Sequence, residues 1–389
     1  MTNIKPSITL MKILAGEGDF HLYRCLKNKR IFLFLKLLSN SLTYSFGKGF
    51  NDSPSSLVFI KGENQCRLLK YANSNILKNI DTSHVCCKQL SINNNAYVAF
   101  PKVDARYIFM QVCFLFLMLI TGRRRYLNIY LILFYSGVND VVNRKFERVK
   151  EFLCFNDQSY DVASIVEAFN QRGCQTFVYQ HGLILSKEFY FPVVAKTFLA
   201  WGDGSRNAFK AWRDDTEFLV VGRYLDDAEN KSDHLLYKNG GRKLKILIAP
   251  SFNVKEIKEI FILIKSFKKF INECSFVVKF HPATKFKFLI KLWCKNTAPF
   301  VVEEHGHMES LSNDYDFLIT KNSTSTVDFL LRGKLVFCIG PLNDTGFPSS
   351  DYVFDIAQLA QLLNGGDRDD LNFKNVLRLG FLQKCINVG

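Results

Sequence analysis

Four short polar segments follow directly on apolar runs, and each carries groups able to do chemistry. Gln180-His181-Gly182 comes after Thr176–Tyr179. An imidazole there suits general-base work near neutral pH, and the glycine permits a tight turn or a close backbone approach. Lys279-Phe280-His281-Pro282 closes a second such run. The proline fixes the backbone just after the histidine and ends the strand, so His281 is held where it could donate to a phosphate. Asn322 and the hydroxyls Ser323, Thr324, Ser325 and Thr326 precede a helical pattern that contains Val327, Phe329 and Leu330. One hydroxyl is enough to cap a helix, whereas four at a helix N-terminus suit an anion. Asn156-Asp157 places a carboxylate after Phe152–Phe155, where it could orient or deprotonate a hydroxyl. The plain alternatives are a loop histidine without a role, a strand terminator, an ordinary cap and a solvated turn aspartate.

Other chemistries lack their residues. There is no GxGxxG, GxxxxGK[ST] or GxSxG, so dinucleotide, P-loop and nucleophile-elbow readings have no cradle. His305-Gly306-His307 after Glu303-Glu304 reads as a charged surface loop, with no further ligand set around it.

Elements that would position these groups follow from the hydrophobic pattern. From about residue 150 buried-type strands alternate with helical periodicity: 152–155, a helix through Val162, Ile165, Val166 and Phe169, then 176–179, 197–200, a helix at 205–212, and 218–221. The polar, glycine-ended stretch 224–243 reads as a linker. A second alternation follows, with strands at 244–248, 275–280, 317–319 and 335–339 and helices at 254–270, 324–331 and 356–363. Such alternation indicates α/β architecture with parallel sheets and right-handed crossovers, here in two Rossmann-like halves. The first 100 residues are less regular, with a basic amphipathic stretch at 23–38 and strand-like pieces at 57–60 and 97–100.

At 389 residues the chain is long enough for two domains. Hydrophobic content of 48% against 22% charged residues excludes a disordered chain. A formal charge of +15 favours anionic partners: nucleotide phosphates, nucleic acid or an anionic membrane surface, unless it is only a generally basic surface. The eleven cysteines include no CxxC, and Cys113, Cys154 and Cys338 lie in apolar runs as small core hydrophobes, which suits a reducing cytoplasm. The N-terminus has no signal-peptide pattern. The apolar runs 108–120 and 126–135 are each shorter than the roughly 20 residues of a membrane span and are divided by Arg123-Arg124-Arg125. They read as buried core helix or strand, with an interfacial segment and a true span as the alternatives.

Taken in order, QHG at 180–182, WG at 201–202, VG at 221–222, KFHP at 279–282 and the hydroxyl cluster at 323–326 resemble the bacterial GT-B glycosyltransferases of surface-polysaccharide assembly. The nearest groups are the CMP-sugar users (sialyl-, polysialyl- and Kdo transferases); the teichoic-acid glycerophosphotransferases share a related arrangement. The resemblance spans about 150–365. It implies a GT-B-like α/β fold of two Rossmann-like domains facing a central cleft, 1–235 for the acceptor and 236–389 for the nucleotide sugar. It implies that Lys279, His281 and Pro282 bind the nucleotide and that Ser323, Thr324, Ser325 and Thr326 hold its phosphate. His181 falls where the glycerophosphotransferases have a histidine proposed as base. Sialyltransferases use an acidic motif ending in glycine, and Asn156-Asp157-Gln158 lacks that glycine. The expected activity is transfer of a sugar from a nucleotide donor, CMP-linked by preference, to a saccharide or lipid-linked saccharide. A CDP-glycerol-type transfer, or a nucleotide-sugar enzyme without transfer such as an epimerase, is the alternative. Neither cofactor nor metal is expected, and no nucleic acid. A cytoplasmic location with peripheral contact to an anionic inner membrane is compatible with the charge.

Overall fold

The computed structural model describes residues 26, 28–43, 54–61, 65–66, 68–69, 85–87, 97–182, 190, 193–201, 205, 216–221, 243–250, 257–260, 262, 265, 274–281, 284, 287–297, 301–303, 305–306, 308–320, 323–330, 334–338 and 353–355. The chain divides into two compact units, Met1–Tyr224 and Leu225–Gly389. The expected boundary at 235/236 and most of the expected linker lie outside the described residues, as do Pro282 and the expected helices at 206–212 and 356–363.

Among the described residues, unit 1 holds seven parallel strands: β1 Ser56–Ile60, β2 Val85–Cys87, β3 Tyr97–Ala99, β4 Glu151–Cys154, β5 Gln175–Tyr179, β6 Thr197–Ala200 and β7 Glu217–Val220. Their spatial order is β3-β2-β1-β4-β5-β6-β7. The sequence runs outward to one edge from β1 and to the other from β4, so the order reverses between those two strands. All five residues of β1 are buried, as continuous apolar runs in a sheet covered on both faces must be. Phenylalanine supplies much of this core. Phe59, Phe134, Phe146, Phe152, Phe155, Phe169 and Phe198 are all fully buried, and Phe152 stacks on Phe169 with ring centroids 4.5 Å apart.

Among the described residues of unit 1, the helices with defined bounds are α1 Arg30–Thr43, α2 Ala105–Thr121, α3 Arg124–Lys145 and α4 Tyr160–Gln171. The runs at 108–120 and 126–135 are therefore helical. Asp104 caps α2 by accepting from the Arg106 N–H at 2.9 Å. Gly122 ends it in the left-handed region (φ 66°), its N–H donating to the Met118 carbonyl at 2.8 Å, and the chain turns back into α3. No helix among the described residues is long and apolar enough to cross a membrane. Only one side of α2 faces the core, through Gln111, Leu115 and Met118. Cys113, expected as a core hydrophobe, is exposed instead, because helical spacing puts it on the outward stripe with Phe109, Phe116 and Ile120. Cys154 is buried as expected.

Unit 2 repeats the architecture with six parallel strands among its described residues: β8 Leu244–Ala249, β9 Cys274–Val278, β10 Val301–Glu303, β11 Phe317–Thr320, β12 Leu335–Cys338 and β13 Val353–Asp355. The order β10-β9-β8-β11-β12-β13 reverses between β8 and β11. Its described helices are α5 Lys287–Thr297, α6 Met308–Asp314 and α7 Ser325–Leu330.

Candidate functional site

In a doubly wound sheet, ligands gather beyond the carboxyl ends of the strands flanking the reversal of strand order, because the crossovers there diverge to opposite faces and leave a crevice. In unit 1 those strands are β1 and β4. Lys61 follows β1, and its ammonium donates to Ser159 Oγ and Asp161 Oδ1, each at 2.9 Å, at the start of α4. The Asp161 side chain is 1% exposed and that of Lys61 34%, so the pair sets a cation at the reversal point with its outer edge in solvent. Sequence reasoning passed over both residues. The lysine directly after the β1 run was the available signal.

Asp157 follows β4 and is completely buried. Its Oδ2 accepts from the backbone N–H groups of Val194 (2.7 Å) and Ala195 (2.9 Å), and its Oδ1 from the Gln158 amide. That amide also donates to the Tyr190 carbonyl at 3.0 Å. The carboxylate thus fastens the segment leading into β6, and this geometry gives it a positioning task.

His181 lies one strand further on, at the end of β5. Gln180 is what holds it: this buried amide accepts from the Trp201 N–H and donates to the Gly182 carbonyl, both at 2.9 Å. The QHG segment and Trp201 are therefore two halves of one bracket. The imidazole is half-buried, lies 5.5 Å from the Tyr190 ring, and is hydrogen-bonded to the Phe155 backbone. Desolvation pushes its pKa down to about 4, only partly offset by that bond. At neutral pH the ring is uncharged, with one N–H committed to a carbonyl, which leaves the other nitrogen as a proton acceptor.

In unit 2 the reversal strands are β8 and β11. Ser323, Thr324, Ser325 and Thr326 follow β11. Ser323 and Thr324 are half-buried; Ser325 and Thr326 are buried. Ser323 Oγ caps α7, accepting from the Ser325 N–H at 3.3 Å and the Ser325 hydroxyl at 2.7 Å. Below them, the Thr320 hydroxyl donates to the Ala249 carbonyl at 2.7 Å and ties the ends of β8 and β11 together. His281 and Lys279 belong to the far side of β8, just after β9. His281 is exposed, and its pKa lies below the ordinary value through desolvation first and Lys287 second. The Lys279 ammonium donates to the Gly306 carbonyl. Thr284, in the same loop, is buried, and its hydroxyl has no hydrogen-bond partner among the described residues. His281 and the Ser323 cluster thus follow the two strands that flank β8, β9 on one side and β11 on the other.

Among the described residues no group of three or more His, Cys, Asp or Glu gathers as a metal site, and His305 is exposed. No protein-family model and no curated protein sequence matches the chain. Solved structures do. A Listeria monocytogenes protein assigned as a UDP-N-acetylglucosamine 2-epimerase superposes with a TM-score of 0.52 at 11% identity, over 84% of this chain and 89% of that one. MnaA of S. aureus, solved with UDP, gives 0.51 at 9% identity, over 83% and 90%. The fold is GT-B-like. A variant of the wall teichoic acid polymerase TagF matches over 98% of this chain and 94% of its own at 13% identity, with a TM-score of 0.46. At such identities the likeness speaks for architecture, so the expectation drawn from short motifs narrows to the GT-B-like fold.

Proposed function

We propose that this chain is a nucleotide-dependent transferase in which unit 2 binds the activated donor and unit 1 deprotonates an acceptor hydroxyl. The observation that carries the reading is His181: a neutral imidazole at a strand end, with one nitrogen anchored and the other able to take a proton. His281, the Thr284 hydroxyl and Ser323–Thr326 are the proposed donor-phosphate groups, and Lys61 is proposed to orient the acceptor.

The choice of base bears on the donor. Sialyl- and Kdo-type transfer from a CMP sugar, as the resemblance describes it, calls for an available carboxylate. Asp157 spends its oxygens on Val194, Ala195 and Gln158. A histidine base fits the CDP-glycerol type of transfer better, and that is the donor we favour. Epimerisation of a UDP sugar is the second reading, favoured by the structural matches above a TM-score of 0.5.

Incubation with CDP-glycerol, a CMP sugar or UDP-N-acetylglucosamine, with and without a hydroxyl acceptor, separates the three. Transfer that requires acceptor and falls at least about 100-fold in His181→Gln, with nucleotide affinity retained, supports the proposal. Conversion of the UDP sugar without acceptor would sink it.

A further inference from the structure

The helical pair α1 and α2 carries apolar side chains on both sides, and only one side is used by the core. α1 buries Leu33, Phe34, Leu37 and Ser41. It is anchored inward by the Tyr130 hydroxyl, which donates to the Leu37 carbonyl at 3.1 Å, and by Asn40, which donates to the Tyr160 hydroxyl at 2.6 Å. On its opposite side Ile31, Phe32 and Leu35 are exposed, Ile31 by 68% and Phe32 by 60%. α2 presents Phe116, Leu117 and Ile120 in the same way, Ile120 by 74%.

Two contacts make these one surface. Phe34 and Phe116 have ring centroids 5.1 Å apart, and the Arg30 guanidinium donates to the Leu119 carbonyl at 3.3 Å. The start of α1 therefore lies beside the end of α2, and the two helices run antiparallel. That end is basic. Arg30, Arg123, Arg124 and Arg125 are all exposed there, with Arg125 also 4.7 Å over the Tyr126 ring. No Asp or Glu occurs in 27–43 or in 105–139.

We infer that this face docks on an anionic phospholipid bilayer, with the apolar side chains entering the acyl boundary and the arginines meeting lipid phosphates. Apolar projections with an arginine rim and no carboxylate match an anionic interface. A second copy of the chain is the poorer match, since two such faces would offer the arginines no carboxylate within 27–43 or 105–139 to pair with. The docking is independent of the catalytic reading, because no residue of the proposed site lies on α1 or α2.

Flotation of the full chain with neutral phosphatidylcholine vesicles, and with vesicles containing 30% phosphatidylglycerol, tests this at low and high salt. The chain is expected to float with the anionic vesicles at least about tenfold better, and to lose that advantage at high salt. The double variants Phe32→Ser/Ile120→Ser and Arg123→Gln/Arg125→Gln are each expected to lower anionic-vesicle binding at least tenfold with unchanged thermal unfolding. Arg123→Lys/Arg125→Lys should restore most of it and guards against a folding artefact. Equal binding to both vesicle types, no binding, wild-type binding by both double variants, or a lipid-independent dimer abolished by Phe32→Ser/Ile120→Ser would overturn the inference.

Discussion

Acidification from pH 7.5 to 5 should leave His181 uncharged in the folded chain. The displacement from the ordinary 6.5 to about 4 comes from desolvation, against which the bond to Phe155 works only in part. At about 1.4 kcal/mol per pH unit it corresponds to about 2–3 kcal/mol once the exposed edge of the ring is allowed for. Because the folded value lies below the unfolded one, the unfolded chain binds more protons between the two. The stability due to neutral His181 is thus complete above pH 6.5 and is lost as the pH falls toward 4, with about 2 kcal/mol gone by pH 5. Carbon-13-labelled histidine resonances, with His181→Gln to identify the signal, should show a midpoint near 4 and no change from pH 8 to 5.5. Hydrogen exchange in peptides covering β5 and β6 reports unit 1 by itself. The difference between wild type and His181→Gln there should shrink as the pH falls. A midpoint of 6–7, or a difference that does not depend on pH, would refute the desolvation argument. The acid limb of kcat/KM should follow the same low midpoint if His181 is the base.

Other outcomes are open to measurement. Asp157→Ala leaves the Val194 and Ala195 N–H groups buried without their charged acceptor. It should destabilise unit 1 by about 3–5 kcal/mol, read as faster exchange at 193–200, whereas Asp157→Asn should cost less and keep activity below its melting temperature. Loss of activity in a fully stable Asp157→Asn would return that carboxylate to the chemistry. At Gly137 in α3 an added Cβ would stand 2.7 Å from Val103 Cγ1 and 3.2 Å from the Tyr107 ring. Gly137→Ala should therefore destabilise the α2–α3 packing by about 1–3 kcal/mol, visible in thermal unfolding; an unchanged melting temperature would show that the helices part without strain.

Much of the α/β character was legible in the chain itself. Strands β4 to β6, β8 and β11 are short apolar runs bounded by polar turns, and their burial on both sheet faces leaves no other pattern open to them. Helix α4 announces itself through Val162, Ile165, Val166 and Phe169. The runs at 108–120 and 126–135 were ambiguous, since an unbroken apolar stretch has no period by which to tell a strand from a helix. Only the fold showed Cys113 turned outward and half of α2 left uncovered.

Which groups stand at strand ends was readable from the chain alone, because strand and turn composition are local properties. His181, Asp157, His281 and the hydroxyls at 323–326 were all visible there. What each can do was decided by tertiary structure. Strand order puts the reversal points between β1 and β4 and between β8 and β11, and strand order depends on pairings made far apart in the chain. It is the return of 193–195 over β4 that occupies Asp157, and the Gln180 bracket with Trp201 that positions His181. Lys61 and Asp161, 100 residues apart, become a pair only when β1 and α4 meet.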